Sequence, residues 1–224
     1  MEVKYIILIL VAFINLLLGT FILFRNRKSP INISFSIVLF GAVIWSSCMA
    51  IFISLTDMDI AIYWAKFFYF GSALIIPAFL AFANYYIYPS YRVTKKKVIY
   101  FLIPFLIITA IIFHPSWFLE SATHHEWGND ANEKLVSHLI FAAYLFVYII
   151  LSYVILFRKF RRSEGIHRTN LSFIISGSFL SFLFGIIFAL ILPIAGEYSL
   201  IWVGPYFTVV NASFLVYFIF IKSR

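Results

Sequence analysis

The sequence predicts an all-α integral membrane protein, a single domain of seven transmembrane helices over residues 1–224. Hydrophobic residues make up 63% of the chain, whereas a soluble domain has roughly 45 to 50%. The mean hydropathy is +1.00. Apolar runs of about 20 residues, the length that crosses the hydrocarbon layer, recur along the chain. Clusters of basic residues follow every second run.

Seven apolar runs define the predicted spans. They cover residues 5–24, 31–55, 60–88, 98–114, 135–157, 169–194 and 198–221. The runs are continuously apolar and do not alternate in polarity as barrel strands do. We therefore expect helices, which satisfy their own backbone hydrogen bonds in lipid. Pro30 opens the second span, and Pro89 and Pro115 follow the third and fourth. The fourth span is the shortest and contains Pro104, so we expect it to be tilted, kinked or partly re-entrant.

Positive charge sets the predicted orientation. Fourteen of the 17 Lys and Arg residues lie in segments that follow the first, third, fifth and seventh runs. They are Arg25, Arg27, Lys28, Arg92, Lys95, Lys96, Lys97, Arg158, Lys159, Arg161, Arg162, Arg168, Lys222 and Arg224. Lys and Arg collect in cytoplasmic loops, and every acidic residue except Glu164 lies in the alternate segments. We predict an N-terminus outside and a C-terminus in the cytoplasm. Anionic lipid headgroups are the expected counter-charge, rather than nucleic acid.

Small residues recur at four-residue spacing in the sixth span. Gly177, Ser181 and Gly185 belong to this small-residue ladder, which Ala189 continues. Such residues let a second helix approach closely where lipid provides no hydrophobic drive. We expect the partner helix in the same bundle. A second protomer, which would make a homodimer, is the alternative.

Polar and aromatic residues in the spans predict an outward-opening ligand pocket. Lys66 lies between Tyr63 and Tyr69 at helical spacing, and His138 lies near the outer end of the fifth span. Ionisable residues inside a membrane are costly and typical of functional sites. The predicted pocket residues are Trp45, Trp64, Lys66, Tyr69, His138 and Asn211. The ligand is unknown, and a small amphipathic or anionic molecule would pair with Lys66. In the alternative, Lys66 reaches the outer headgroups or pairs with an acid of the preceding loop.

The longest loop, residues 115–134, lies on the predicted outer side. It contains His124, His125, Glu126 and Asp130, which are all chemically able to bind a metal. The two histidines are adjacent, so they lack the i, i+4 spacing that directs two rings to one ion. We expect a solvated acidic loop without a metal or cofactor. Metal binding by the two histidines stays open as the alternative.

No catalytic set is evident in the sequence. The chain has no G-x-S-x-G, no H-E-x-x-H and no phosphate-binding glycine loop. No acidic residue lies inside a predicted span, which disfavours coupled transport. We therefore do not expect this chain to be an enzyme.

A resemblance to a known family runs along nearly the whole chain. It is carried by Asn32 to Phe35, Trp45, Trp64-Ala65-Lys66, Tyr69, Pro77, Phe82, Arg168, Gly177, Leu192-Pro193 and Gly204-Pro205. With these residues the chain resembles the N-terminal seven-helix region of bacterial membrane histidine kinases. The resemblance implies a sensory module of the cell membrane that detects an extracellular or membrane-borne signal and relays it through its last helix. It also implies a cytoplasmic kinase or other output domain of a two-component system, expected beyond Arg224 or on a separate partner.

Two other functions stay open at this point. A small permease or lipid-handling protein would use the outer pocket for transport. A structural membrane protein would use the small-residue ladder and the aromatic faces only for packing.

Overall fold

The computed structural model describes residues 3–87 and 95–216 of the 224. Within these ranges the chain forms seven helices and one β-hairpin. The helices are α1 (Val3–Arg25), α2 (Pro30–Ser54), α3 (Met58–Tyr85), α4 (Lys95–Phe113), α5 (Leu135–Arg162), α6 (Gly165–Ile194) and α7 (Tyr206–Leu215). The strands β1 (Leu119–His125) and β2 (Gly128–Glu133) lie between α4 and α5. Pro89, Arg92, Lys222, Arg224 and the last residues of the predicted third and seventh spans lie outside the described ranges.

The prediction of a helical membrane protein is confirmed in its main outline. Five helices, α1, α2, α3, α5 and α6, are long and apolar enough to cross a membrane. In α4 the apolar stretch is shorter, Leu102–Phe113, and α7 has ten described residues. The β-hairpin is the departure from the all-α prediction.

Side-chain capping sets the start of α2 and of α3. Ser29 accepts a hydrogen bond from the backbone N–H of Asn32. Asp57 accepts hydrogen bonds from the N–H groups of Asp59 and Ile60, over 3.0 and 3.2 Å. These contacts satisfy donors that have no partner within the first turn of a helix. Because Asp57 is the cap, α3 begins two residues before the predicted span.

The predicted seventh span is not helical at its start. A π turn at Ile187–Ile191 precedes the end of α6, and an irregular segment, residues 195–205, follows. This segment contains a 3-10 turn at Ile201–Val203. Helix α7 begins at Tyr206 because Pro205, which lacks an N–H, suits a helix start but cannot continue a helix from upstream. The boundary is therefore corrected from residue 198 to Tyr206.

Residues 115–134 include a structured hairpin in place of the expected solvated loop. The two strands pair antiparallel, with Ala122 opposite Ala131 and Thr123 opposite Asp130. Ala122 and Ala131 are buried, as is Phe118 just before β1. One face of the hairpin therefore packs on the ends of the helices. These short polar strands have no long apolar alternation from which they could have been predicted.

A buried asparagine joins the hairpin to α2. Asn129 is fully buried, and its Nδ2 donates to the backbone carbonyls of Phe52 and Leu55, over 2.6 and 2.7 Å. The last carbonyls of a helix have no partner within the helix, and burying them unpaired is costly. Lys4 of α1 donates to the carbonyl of Trp127 in the hairpin turn, over 3.0 Å. The hairpin is thus tied to α1 and α2.

Helices α2 and α3 approach each other closely at two glycines. A Cβ on Gly71 would lie 2.6 Å from the backbone nitrogen of Trp45, and one on Gly41 would lie 3.1 Å from the carbonyl oxygen of Gly71. The first distance excludes any side chain at Gly71. Towards the hairpin the rings of Phe52 and Phe68 lie 5.5 Å apart. This helix pair forms the centre of the buried core.

A lysine binds the carbonyls at the C-terminal end of α3. This end lies away from the hairpin, on the side where α1 and α5 also end. The Nζ of Lys159 donates to the carbonyls of Ala83, Asn84 and Tyr86, over 2.7, 2.6 and 2.6 Å. A cation is also favoured at a helix C-terminus by the helix dipole. We call this end the basic side and the other end the hairpin side.

Replacing Asn129 by Ala should lower the free energy of unfolding by about 1 to 3 kcal/mol, because the carbonyl of Phe52 in α2 and that of Leu55 just after it lose a side-chain donor. Thermal or denaturant unfolding of the purified protein in detergent measures the change. Asn132→Ala is the matched control, since its amide bonds Ser121 and Thr123 at exposed positions. We expect a change within about 0.5 kcal/mol for the control. Equal losses in the two variants would contradict the anchoring role of Asn129.

Candidate functional site

A cavity of about 100 Å³ lies inside the bundle, between α2, α3, α5, α6 and α7. An engineered cavity of about 150 Å³ accepts benzene, so this one has room for several non-hydrogen atoms. Its walls are mainly apolar and include the side chains of Phe79, Phe141, Leu145 and Phe182. The cavity is the feature of the described bundle that most resembles a small-molecule site.

The six predicted pocket residues do not form one site. Three of them line the cavity: Trp45, Tyr69 and Asn211. The other three lie outside it: Trp64, Lys66 and His138. Trp64 packs beside Phe67, with ring centres 6.1 Å apart. In place of a single pocket, the structure shows a cavity and a neighbouring polar cluster on the hairpin side that share Tyr69. Ligand binding by the six residues stays a prediction.

Lys66 binds the end of α4 instead of facing the cavity. Its side chain is buried, and its Nζ donates to the carbonyl of His114, just after α4, over 3.2 Å. Its Nζ also lies 6.0 Å from the ring centre of Tyr63. The contact satisfies a helix carbonyl and places a cation where the helix dipole favours one. Lys66 is therefore not placed to serve as counter-ion for a ligand in the cavity.

A buried carboxylate organises the polar cluster on the hairpin side. Glu133, at the end of β2, accepts hydrogen bonds from the hydroxyl of Tyr69 and, over 2.9 Å, from the hydroxyl of Tyr198. The Nδ1 of His138 lies 3.9 Å from its Oε1, and the side chains of His138 and Glu133 are each only 3% exposed. We call Glu133, Tyr69, Tyr198 and His138 the Glu133 cluster. It brings together β2, α3, the 195–205 segment and α5.

Burial raises the pKa of Glu133, although the hydrogen bonds from Tyr69 and Tyr198 oppose this effect. The two hydroxyls favour the carboxylate, whereas the loss of hydration favours the neutral acid. Burial has the larger effect on this pKa. The carboxyl group is thus a buried site that can exchange a proton on the hairpin side.

Sequence reasoning missed Glu133 and Tyr198. The sequence predicts a solvated loop around Glu133, and its local sequence does not distinguish it from Glu126 or Asp130 in the same loop. Tyr198 is the first residue of the predicted seventh span. The cluster forms only because the hairpin folds back onto α3 and α5. The sequence contains no pattern that predicts this hairpin, so the cluster could not be predicted from it.

Tyr69 joins the Glu133 cluster to the cavity. Its ring lines the cavity, while its hydroxyl bonds Glu133. Its ring also packs against Phe118 and Phe141, with centres 4.7 and 5.5 Å away. A change in the protonation of Glu133 can therefore affect the cavity wall through the side chain of Tyr69.

The small-residue ladder of α6 packs against other helices of the same chain. A Cβ on Gly177 would lie 2.7 Å from the Oδ1 of Asn211 in α7. Ser181 donates its hydroxyl to the carbonyl of Phe207, over 2.7 Å. Gly185 faces the ring of Trp45 in α2. The ladder thus lets α7 lie close to α6 and also forms one wall of the cavity.

The histidines of the hairpin have partners within the hairpin. His124 Nδ1 lies 2.7 Å from the Oδ1 of Asn129, and His125 Nε2 lies 2.9 Å from a carboxylate oxygen of Asp130. The ring of His125 also stacks on Trp127. In the part of the chain that the structure describes, no group of three His, Cys, Asp or Glu side chains is arranged to hold a metal ion.

A comparison with protein families decides the family of this chain. The family model described as the N-terminal 7TM region of histidine kinase matches residues 7–222. The chain belongs to this family. The resemblance noted from the sequence is therefore confirmed, and it covers both the cavity and the Glu133 cluster. A comparison with curated proteins finds no match. Membership in the histidine kinase 7TM family indicates a multi-pass membrane protein associated with sensory input.

Replacing Glu133 by Gln should remove a pH dependence of stability from this 7TM region. Because burial raises the pKa of Glu133 in the folded state, its contribution to stability is present at acidic pH and is lost as the pH rises through that pKa. Each tenfold difference in proton affinity between the folded and unfolded states corresponds to about 1.4 kcal/mol.

Unfolding temperatures measured between about pH 4 and pH 8, a range that begins near the ordinary Glu pKa, check this prediction. We expect the wild-type value to fall relative to that of Glu133→Gln as the pH rises. The control is Glu120→Gln, whose carboxylate is 62% exposed. If the wild type and Glu133→Gln have parallel pH profiles, Glu133 does not titrate as described.

Proposed function

We propose that this 7TM region senses an extracellular or membrane-borne signal and relays it through α7 to a cytoplasmic kinase or other output domain, either fused to it or separate. Family membership supports the sensory role. One structural observation supports the relay: α7 and the segment before it contact both candidate sites. Tyr198 bonds the Glu133 cluster, and Thr208 and Asn211 line the cavity.

The relay needs two arrangements of the helices with different stability. A ligand shifts such an equilibrium only by binding one arrangement more tightly than the other, and coupling of this kind is typically about 1 to 3 kcal/mol. The hydrogen bond between Tyr198 and Glu133 joins the segment before α7 to the hairpin side, and the cavity lies directly against the first turns of α7. In this proposal the chain itself is not catalytic, and phosphoryl transfer belongs to the output domain.

The proposed orientation places the hairpin outside the cell membrane and the end of α7 in the cytoplasm. The basic residues at the ends of α1 and α5 support it, since Lys and Arg favour the cytoplasmic side. With seven spans the two termini would emerge on opposite sides. The buried Glu133 cluster would then lie near the outer end of the bundle, on the side where a signal arrives.

The relay can be tested in a fusion of residues 1–224 to a histidine kinase output module. Tyr198→Phe removes the hydrogen bond to Glu133 but keeps the ring. An intramolecular hydrogen bond contributes about 0.5 to 1.5 kcal/mol net, so we expect basal autophosphorylation to change by about two- to tenfold. Tyr63→Phe is the control, because Tyr63 is 65% exposed on α3. Identical output from Tyr198→Phe and the parent fusion would exclude this bond from the relay.

Orientation can be tested by cysteine labelling of intact cells. Cys48 is the single cysteine of the chain and is buried, so an introduced cysteine reports its own location. Glu126→Cys, in the hairpin turn, should react with a membrane-impermeant maleimide. Arg161→Cys, at the end of α5, should react only after the cells are opened. The reverse pattern would invert the proposed orientation.

A further inference from the structure

We propose that the cavity binds a neutral, mainly apolar ligand and does not bind an anion. Two sources share this chemistry: a small apolar molecule or alcohol dissolved in the membrane, and the end of a lipid acyl chain. The inference deepens the proposed function and rests on it for the link to signalling. Binding itself depends only on the cavity.

The cavity wall provides no opposite charge for an ionic ligand. Among residues 3–87 and 95–216, no charged side chain lines it. Lys66, the cation that the sequence placed in the pocket, is bound to the carbonyl of His114 instead. A charged ligand would lose its hydration here without a partner to replace it, which is costly in an apolar site.

The hydroxyl groups of the wall are also occupied. Each donates its proton to a protein oxygen: Ser72 to the carbonyl of Tyr69, Ser181 to that of Phe207, Thr208 to that of Pro205, and Tyr69 to the carboxylate of Glu133. A hydroxyl has one proton to donate. These hydroxyls therefore have no proton left for a carboxylate, phosphate or carbonyl of a ligand. The other polar groups of the wall, the amide of Asn211 and the indole of Trp45, are neutral, and the rest of the surface is apolar.

One polar group on the wall differs from the others. The Oδ1 of Asn211 is buried and has no hydrogen-bond partner within the described part of the chain. This oxygen faces Gly177 instead of the open space of the cavity, so it adds no polar partner for a ligand. Asn211 belongs to α7, as do Thr208 and Ala212, which also line the cavity. An occupant would touch the helix to which we assign the relay.

Gly185 offers a way to fill the cavity without disturbing the backbone. A Cβ there would meet only the Cη2 of Trp45, at 3.8 Å, which is an ordinary contact distance. Gly185→Leu therefore directs a branched side chain into the cavity. Ser176→Leu is the matched control, because Ser176 lies on the exposed face of the same helix. Ala42→Val, which fills the cavity from α2, is a second variant if Gly185→Leu does not fold.

Photolabelling of the purified 224-residue chain in lipid nanodiscs tests the proposal. Three diazirine probes are compared: a hexanol, the matching hexanoate, and a phospholipid with the diazirine at its acyl end. Mass spectrometry locates the adducts, and excess unlabelled hexanol tests saturation. We expect saturable adducts on cavity residues from the hexanol or the lipid probe, and none from the hexanoate. Labelling by the lipid alone identifies the acyl chain as the source, and labelling by the hexanol identifies a small molecule.

Gly185→Leu should reduce the cavity adducts by about tenfold or more, because one methylene in an apolar pocket already changes affinity by roughly 10- to 200-fold. Ser176→Leu should leave them unchanged. The proposal is overturned if the hexanoate labels the cavity as well as the hexanol does, if neither neutral probe gives saturable adducts, or if the folded filling variant keeps them.

The kinase fusion separates this inference from the proposed function. Saturable labelling combined with an output that does not respond to the neutral ligand would leave the binding proposal intact and contradict the sensory role of the cavity. An output that responds to hexanol without saturable cavity labelling would overturn the binding proposal alone.

Discussion

Helix carbonyls that are shielded from water need donors from elsewhere in the chain, and this structure depends on three side chains that supply them. Asn129 of the hairpin donates to a carbonyl at the C-terminal end of α2. Lys66 of α3 does the same at the end of α4, and Lys159 of α5 at the end of α3. In an apolar surrounding an unpaired carbonyl costs several kcal/mol. Each donor is far in sequence from the helix it closes. Every one of these bonds therefore also fixes the position of a helix relative to another helix or to the hairpin.

The bundle contains a tightly packed helix pair, α2 and α3, and a helix that borders the cavity, α7. The contact between Gly41 and Gly71 brings the backbones of α2 and α3 together. Side-chain donors also bind the carbonyls at the C-terminal ends of both helices. Helix α7 differs from them. It lies against the small residues of α6 on one side and against the cavity on another. A movement of α7 would therefore disrupt fewer packing contacts than a movement of α2 against α3.

Local sequence predicted the helices but not the contacts that depend on the folded chain. Length and hydropathy located α1 to α6, and Pro30 marked the start of α2. The burial of Lys66 followed from its place in an apolar run, but its partner is a backbone carbonyl of α4, and only tertiary packing brings that group near. Glu133 has the same local sequence features as the exposed Glu126. It is buried because Asn129 holds the hairpin on the helix ends, an interaction between residues far apart in the chain.

The double role of Tyr69 has a thermodynamic consequence. Its ring forms part of the cavity wall, and its hydroxyl stabilises the charged form of Glu133. If an occupant of the cavity alters this hydrogen bond, it changes the proton affinity of the carboxyl group. By reciprocity, protonation then changes the affinity for the occupant by the same factor. Acidity on the hairpin side and an apolar molecule in the cavity would thus act as heterotropic effectors of one another.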